Sequence, residues 1–148
     1  MFYNLHQTVT QNAVNVISQN SLIPNKYKTA AINDASGTIV DVLKSQLDTG
    51  KLNEVVKFFQ TSGIENNFLI SIITKKYATR LNRYYSISMD DAKSIADKLI
   101  PNVMKNFIMV TKQAPSKDDG MFSFLNWLSG NTINFEALFV KINTASFA

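Results

Sequence analysis

The chain has 148 residues, no cysteine and a formal net charge of +4. This length suits one domain, and the 45% of apolar residues suffices for a hydrophobic core. The lack of cysteine excludes disulfides, thiolate metal sites and cysteine nucleophiles, and it favours a cytoplasmic location. Neither a signal peptide nor an apolar run of about 18 residues is visible, so we expect a soluble domain without a membrane span.

The first predicted helix covers about residues 2–19. Its apolar side chains recur every three to four residues, which is the stripe of an amphipathic helix that packs through one face. These are Leu5, Val9, Ala13, Val16 and Ile17. Pro24 interrupts the pattern, because the residue before a proline is disfavoured in the helical region.

Residues 26–48 have the most regular helical pattern in the chain. The apolar face contains Ala31, Ala35, Ile39, Val42, Leu43 and Leu47, and the opposite face contains Asp34, Asp41 and Asp48. We therefore expect one face in the core and the aspartates in water. Gly50 ends this helix, and a short third helix begins at Leu52 and ends at Gly63.

The segment from about residue 66 to 81 has apolar residues almost all around a helical wheel. They are Phe68, Leu69, Ile70, Ile72, Ile73 and Tyr77. A helix that is apolar on every side is usually surrounded by protein, so we expect this one at the centre of the fold. In particular, Ile70 and Ile73 should be buried.

The next predicted helix begins at Ser88, which suits an N-cap, with Asp91 at the third helical position. Proline lacks an amide hydrogen, so Pro101 should kink or split this helix, with a further helix over about 102–112.

Two helices are expected in the last third of the chain. Ser116 repeats the capping pattern before a helix that ends at Gly130, and Asn134 should cap the last helix. The buried positions of that helix are predicted to be Phe135, Leu138, Phe139 and Ile142. Residues 144–148 should form a frayed tail. The sequence thus predicts one all-α domain, a bundle of seven to eight helices around a central apolar helix, with its core over about 2–143.

Three short motifs resemble those of the YidB-like bacterial proteins, a family of unknown function. The motifs are Ile23-Pro24-Asn25, Leu99-Ile100-Pro101-Asn102-Val103, and Asp119-Gly120-Met121-Phe122 followed by Leu128-Ser129-Gly130. The resemblance runs from about residue 20 to 142. It implies an all-helical fold and assigns no catalytic residue, since none is established for the family.

The sequence contains no constellation of residues that indicates catalysis. His6 is the only histidine, and without nearby acids it is best interpreted as a surface or helix-flanking residue. The pairs Asp90-Asp91 and Asp118-Asp119 each follow a serine, where capping explains them. No glycine-rich phosphate loop occurs. We therefore predict no catalytic, cofactor-binding or metal-binding residue, and no enzyme.

One stretch holds the whole excess of positive charge. Residues 66–89 contain no acid, and they contain Lys75, Lys76, Arg80 and Arg83. On an ideal helix these four side chains spread over about 140°. We interpret them as a solvated helix end. Tyrosines lie close by, so the alternatives are a nucleic-acid site, an acidic protein or a membrane surface.

The aromatic residues at helical spacing are typical of a core. Trp127 is the exception, because it suits either a core position or an anchor for a partner. The candidate binding surface comprises Lys75, Lys76, Arg80, Arg83, Tyr84 and Trp127.

The leading functional hypothesis is a non-catalytic helical domain that acts through protein contacts, either with an unknown partner or as a homo-oligomer. One alternative is weak nucleic-acid binding through residues 75–83. The second is an enzyme whose carboxylates converge from distant helices.

Overall fold

The computed structural model describes residues 2–61, 67–114 and 120–145. All regular elements in these stretches are helical: α1 (Phe2–Ala13), α2 (Lys28–Asp48), α3 (Leu52–Gln60), α4 (Phe68–Tyr84), α5 (Met89–Gln113), α6 (Met121–Leu128) and α7 (Phe135–Ala145). A π-helical turn, Val14–Ser18, extends α1, and a 3-10 turn, Asn25–Tyr27, precedes α2. The predicted all-α bundle of seven to eight helices is confirmed.

No helix in these described stretches combines the length and the apolar character that crossing a bilayer requires.

Helix α5 is the element on which most of the bundle packs. It forms a hairpin with α4 and also contacts α1 and α6. The apolar side of α5 is buried and comprises Ala92, Ile95, Ala96, Leu99, Ile100, Val103, Met104, Phe107 and Ile108. Near the end of this side, the Phe107 ring lies 4.9 Å from that of Phe124 and 6.2 Å from that of Phe59, which joins α3, α5 and α6 in one aromatic cluster.

Of the two effects expected of Pro101, a kink or a split, the split into a separate helix over 102–112 is wrong, because α5 is continuous through that residue. Proline inside a helix costs about 3 kcal/mol. Two fully buried side chains on each side of Pro101 offset that cost, since burying each contributes about 1.5–3 kcal/mol. They are Leu99, Ile100, Val103 and Met104. Tertiary packing therefore outweighs the local preference.

The expectation of a central helix surrounded by protein is also wrong for α4. Ile70 and Ile73 are buried as predicted, but Phe68 is 51% exposed and Ile72 is 38% exposed. Helix α4 packs against α5 on one side and α2 on another, and its remaining side faces outward. The apolar character of a side chain therefore does not ensure that another element of the fold covers it.

Several predicted helix ends are confirmed by their caps. The Ser88 hydroxyl accepts a hydrogen bond from the amide of Asp91, and the Asn134 side chain accepts one from Ala137. Gly50 and Gly130, which follow α2 and α6, adopt positive φ angles of 80° and 69°. Asn67 was missed as a cap, although its side chain accepts from the Leu69 amide at 2.8 Å.

Other predicted boundaries lie outside the described residues, namely Gly63 and the Ser116 to Asp119 cap. Residues 144 and 145 of the predicted tail belong to α7.

Substitution of two neighbouring isoleucines, Ile72 and Ile73, tests whether only one side of α4 is buried. We expect Ile73→Ala to lower the free energy of unfolding by about 2–5 kcal/mol, because it leaves a cavity in the core. Ile72→Ala should cost at most about 1 kcal/mol, because that side chain already meets solvent. Urea denaturation of both variants measures the difference, and equal losses would contradict the placement of α4.

Candidate contact surface

The four cations of α4 do not form one free surface. Lys75, Lys76 and Arg83 are exposed. Arg80 instead turns toward α2, where its guanidinium lies 2.7 Å from the Asp41 carboxylate and donates to the Thr38 hydroxyl at 2.8 Å. Its charge is therefore used within the fold, and three cations remain available on α4.

The contact of α2 with α4 is lined by polar groups. The Tyr85 hydroxyl donates to the Asp34 carboxylate, and the Tyr77 hydroxyl donates to the Ala31 carbonyl at 2.7 Å. Burial is the main cause that raises the pKa of both phenols above the usual tyrosine value, and the hydrogen bond to Asp34 adds to the rise for Tyr85. These hydroxyls therefore stay protonated and act as donors.

The expectation that all three aspartates of α2 lie in water is therefore wrong. Asp34 is half-buried and accepts a hydrogen bond from Tyr85, the residue that follows α4. Asp41 is exposed but pairs with Arg80, and Asp48 is exposed as predicted. The heptad spacing of Asp34 and Asp41 places both on the side that faces α4.

A groove runs between α4 and α5. It has a volume of about 480 Å³ and includes Lys75, Lys93, Asp97 and Pro101 in its lining. A smaller depression of about 300 Å³ shares the same lysines and Asp97 and extends toward Met89. Two ammonium groups and one carboxylate give this groove mixed charge.

His6 is not simply a surface residue, which corrects the sequence-based interpretation. It is half-buried, and its Nδ1 lies 3.1 Å from the hydroxyl of the buried Ser36 on α2. No group of three or more His, Asp and Glu side chains in the described part of the chain is arranged to hold a metal ion. His6 thus joins α1 to α2.

The two aromatic candidates have different environments. Tyr84 is 58% exposed on α4, with its ring against that of Tyr85. Trp127 is half-buried on α6 and stacks on Phe124, with ring centroids 6.0 Å apart. Trp127 therefore borders the aromatic cluster and belongs to a different element from the cations.

Helix α7 carries a feature that the sequence-based reasoning missed. Phe135 is buried as predicted, but Phe139 is only half-buried. Leu138 and Ile142, which are expected in the core, are 37% and 42% exposed. Val140 is 56% exposed. The described contacts of α7 are mainly with α3 and α6.

The outer side of α7 borders a shallow depression of about 750 Å³. The described residues of its lining are Asn134, Glu136, Ala137, Val140, Lys141 and Thr144. At 100° per residue, Ala137, Val140 and Thr144 point away from the direction of Phe135 and Phe139. All three are exposed. We call Glu136, Ala137, Val140, Lys141 and Thr144 the outer stripe of α7.

Comparisons with protein-family models, with curated proteins and with solved structures find no match to this chain. The resemblance to the YidB-like proteins stays a prediction.

Substitution of Arg80 and Arg83 tests whether Arg80 stabilises the fold while Arg83 is only solvated. We expect Arg80→Gln to lower the free energy of unfolding by about 1–2 kcal/mol, because it removes charge-assisted hydrogen bonds to Asp41 and Thr38. Arg83→Gln should change it by less than about 0.5 kcal/mol. Thermal denaturation at low and high salt measures both, and the loss in Arg80→Gln should shrink as salt screens the ion pair. Indistinguishable variants would refute the assignment.

Proposed function

We propose that this chain is a non-catalytic helical domain that acts through protein–protein contacts, and that α7 provides the contact surface. The observation that carries the proposal is the outer side of α7, where Val140 is 56% exposed between Ala137 and Thr144. Glu136 and Lys141 flank these three residues with opposite charges. A helix side that is apolar at its centre and charged at its edges is typical of a surface that meets another helix.

The free energy of burying apolar side chains also supports α7 as the contact surface. Burying an aliphatic side chain contributes about 1.5–3 kcal/mol, and Val140, which is 56% exposed, lacks much of that contribution in the isolated chain. A partner that covered the outer side of α7 would bury this side chain.

An enzyme built from converging carboxylates has less support. The Asp34 carboxylate accepts from Tyr85, and the Asp41 carboxylate is paired with Arg80, so both are engaged in joining α2 to α4.

Nucleic-acid binding through α4 also has less support than protein contact. The pairing of Arg80 with Asp41 reduces the exposed cations of the basic stretch to Lys75, Lys76 and Arg83. Tyr84 is the exposed ring beside them. Three phosphate contacts would supply only a weak, strongly salt-dependent association.

The cellular setting is a further part of the proposal. We propose a cytoplasmic location, which the absence of cysteine supports. We also propose a relationship to the YidB-like proteins, which the proline and glycine motifs support.

Photo-crosslinking in the native cell tests the contact surface without assuming a partner. A benzophenone amino acid in place of Val140 should give one discrete crosslinked product, because this side chain lies at the centre of the outer stripe. The matched control carries the same group at Ser94, an exposed residue of α5. A discrete product at Val140 alone supports the proposal, and no product, or equal products at both positions, contradicts it.

A further inference from the structure

The outer stripe of α7 has the spacing of a coiled-coil seam. Ala137, Val140 and Thr144 are separated by three and four residues, so in heptad terms they are the a, d and a positions. They lie on the side of α7 opposite Phe135 and Phe139, which face the rest of the bundle. The seam thus points outward, where a second helix can reach it.

The two charges of the outer stripe flank this seam on opposite sides. Glu136 precedes Ala137 and is at the g position, and Lys141 follows Val140 and is at the e position. Both are exposed, and neither forms an ion pair within the described residues. A g residue and the e residue five positions later are the pair that meets across a parallel two-stranded coiled coil.

A second copy of the same helix satisfies both charges at once. In a parallel pair about a two-fold axis, Glu136 of each copy meets Lys141 of the other, which forms two equivalent ion pairs. In an antiparallel pair, e positions meet e positions, so Lys141 would approach its own counterpart and repel it. The charge pattern is self-complementary in one orientation only.

We infer that α7 pairs in parallel with α7 of a second copy of this chain, with Val140 packed against Val140 at the centre. This inference rests on the proposed function and specifies its partner. The seam is short, and Ala137 and Thr144 are small, so the pairing is a weak, concentration-dependent association. Leu138 and Ile142 lie outside the seam and stay uncovered in the pair.

The lack of native cysteine permits a direct test with single-cysteine variants. Parallel pairing sets same-numbered seam residues opposite each other in successive layers. Ala137→Cys and Val140→Cys should therefore both form disulfide dimers in a glutathione buffer, at least about tenfold faster than random collision, because pairing raises the effective thiol concentration. The rates are measured on non-reducing gels.

Two controls define the background rate. Leu138→Cys places an exposed thiol on α7 but off the seam, and Ser94→Cys places one on α5. If Val140→Cys is no faster than these controls, the inference is wrong. If only one seam position is fast, the pair is antiparallel, and the orientation inferred here is overturned.

Charge reversal in the Val140→Cys background tests the ion pairs. Glu136→Lys or Lys141→Glu alone should slow dimer formation, because each variant brings like charges together across the seam. An equimolar mixture of the two should restore the rate and favour the mixed dimer beyond the statistical half, since opposite charges then face each other in both g–e pairs. A purely statistical mixture would contradict the inference.

The outcomes separate this inference from the proposed function. A crosslink from Val140 to a different protein, with slow disulfide formation, leaves α7 as a contact surface and rejects the second copy. Failure of both experiments rejects both proposals. All the substituted side chains are exposed, so we expect each variant to keep the fold. Circular dichroism of each variant checks this.

Discussion

The buried side of α5 packs against α1, α4 and α6, so each of these helices owes part of its position to the same set of apolar side chains. That packing is strong enough to keep the helix continuous through Pro101, where the missing amide donor alone would favour a break. Polar contacts add to this apolar packing, and one of them is the ion pair between Arg80 on α4 and Asp41 on α2.

Helix α7 lies at the edge of this packing. Its described contacts are mainly with α3 and α6, and Phe135 and Phe139 are the side chains that it turns toward the bundle. Its outer stripe is apolar at the centre and oppositely charged at the two edges, which is typical of a helix that pairs with another helix. The basic stretch of α4 looked more promising in the sequence, but the structure uses its central arginine within the fold.

Patterns local to one helix were predictable from the sequence, and relations between helices were not. Capping by Ser88 and Asn134 depends on a few adjacent residues, so it could be predicted. The exposure of Leu138 depends on whether another element covers it, which periodicity does not encode. Likewise, the pairing of Arg80 with Asp41 joins residues 39 positions apart. The seam of α7 did have a sequence signal, the heptad spacing of Ala137 to Thr144 with its flanking charges.

Sedimentation equilibrium over a range of protein concentrations shows directly whether α7 binds a second copy of the chain. We expect the weight-average mass to rise from 16.6 kDa toward twice that value as concentration increases. Val140→Glu should remain monomeric over the same range, because it places two like charges at the centre of the seam. A wild-type mass that stays at the monomer value at every concentration would show that α7 does not pair.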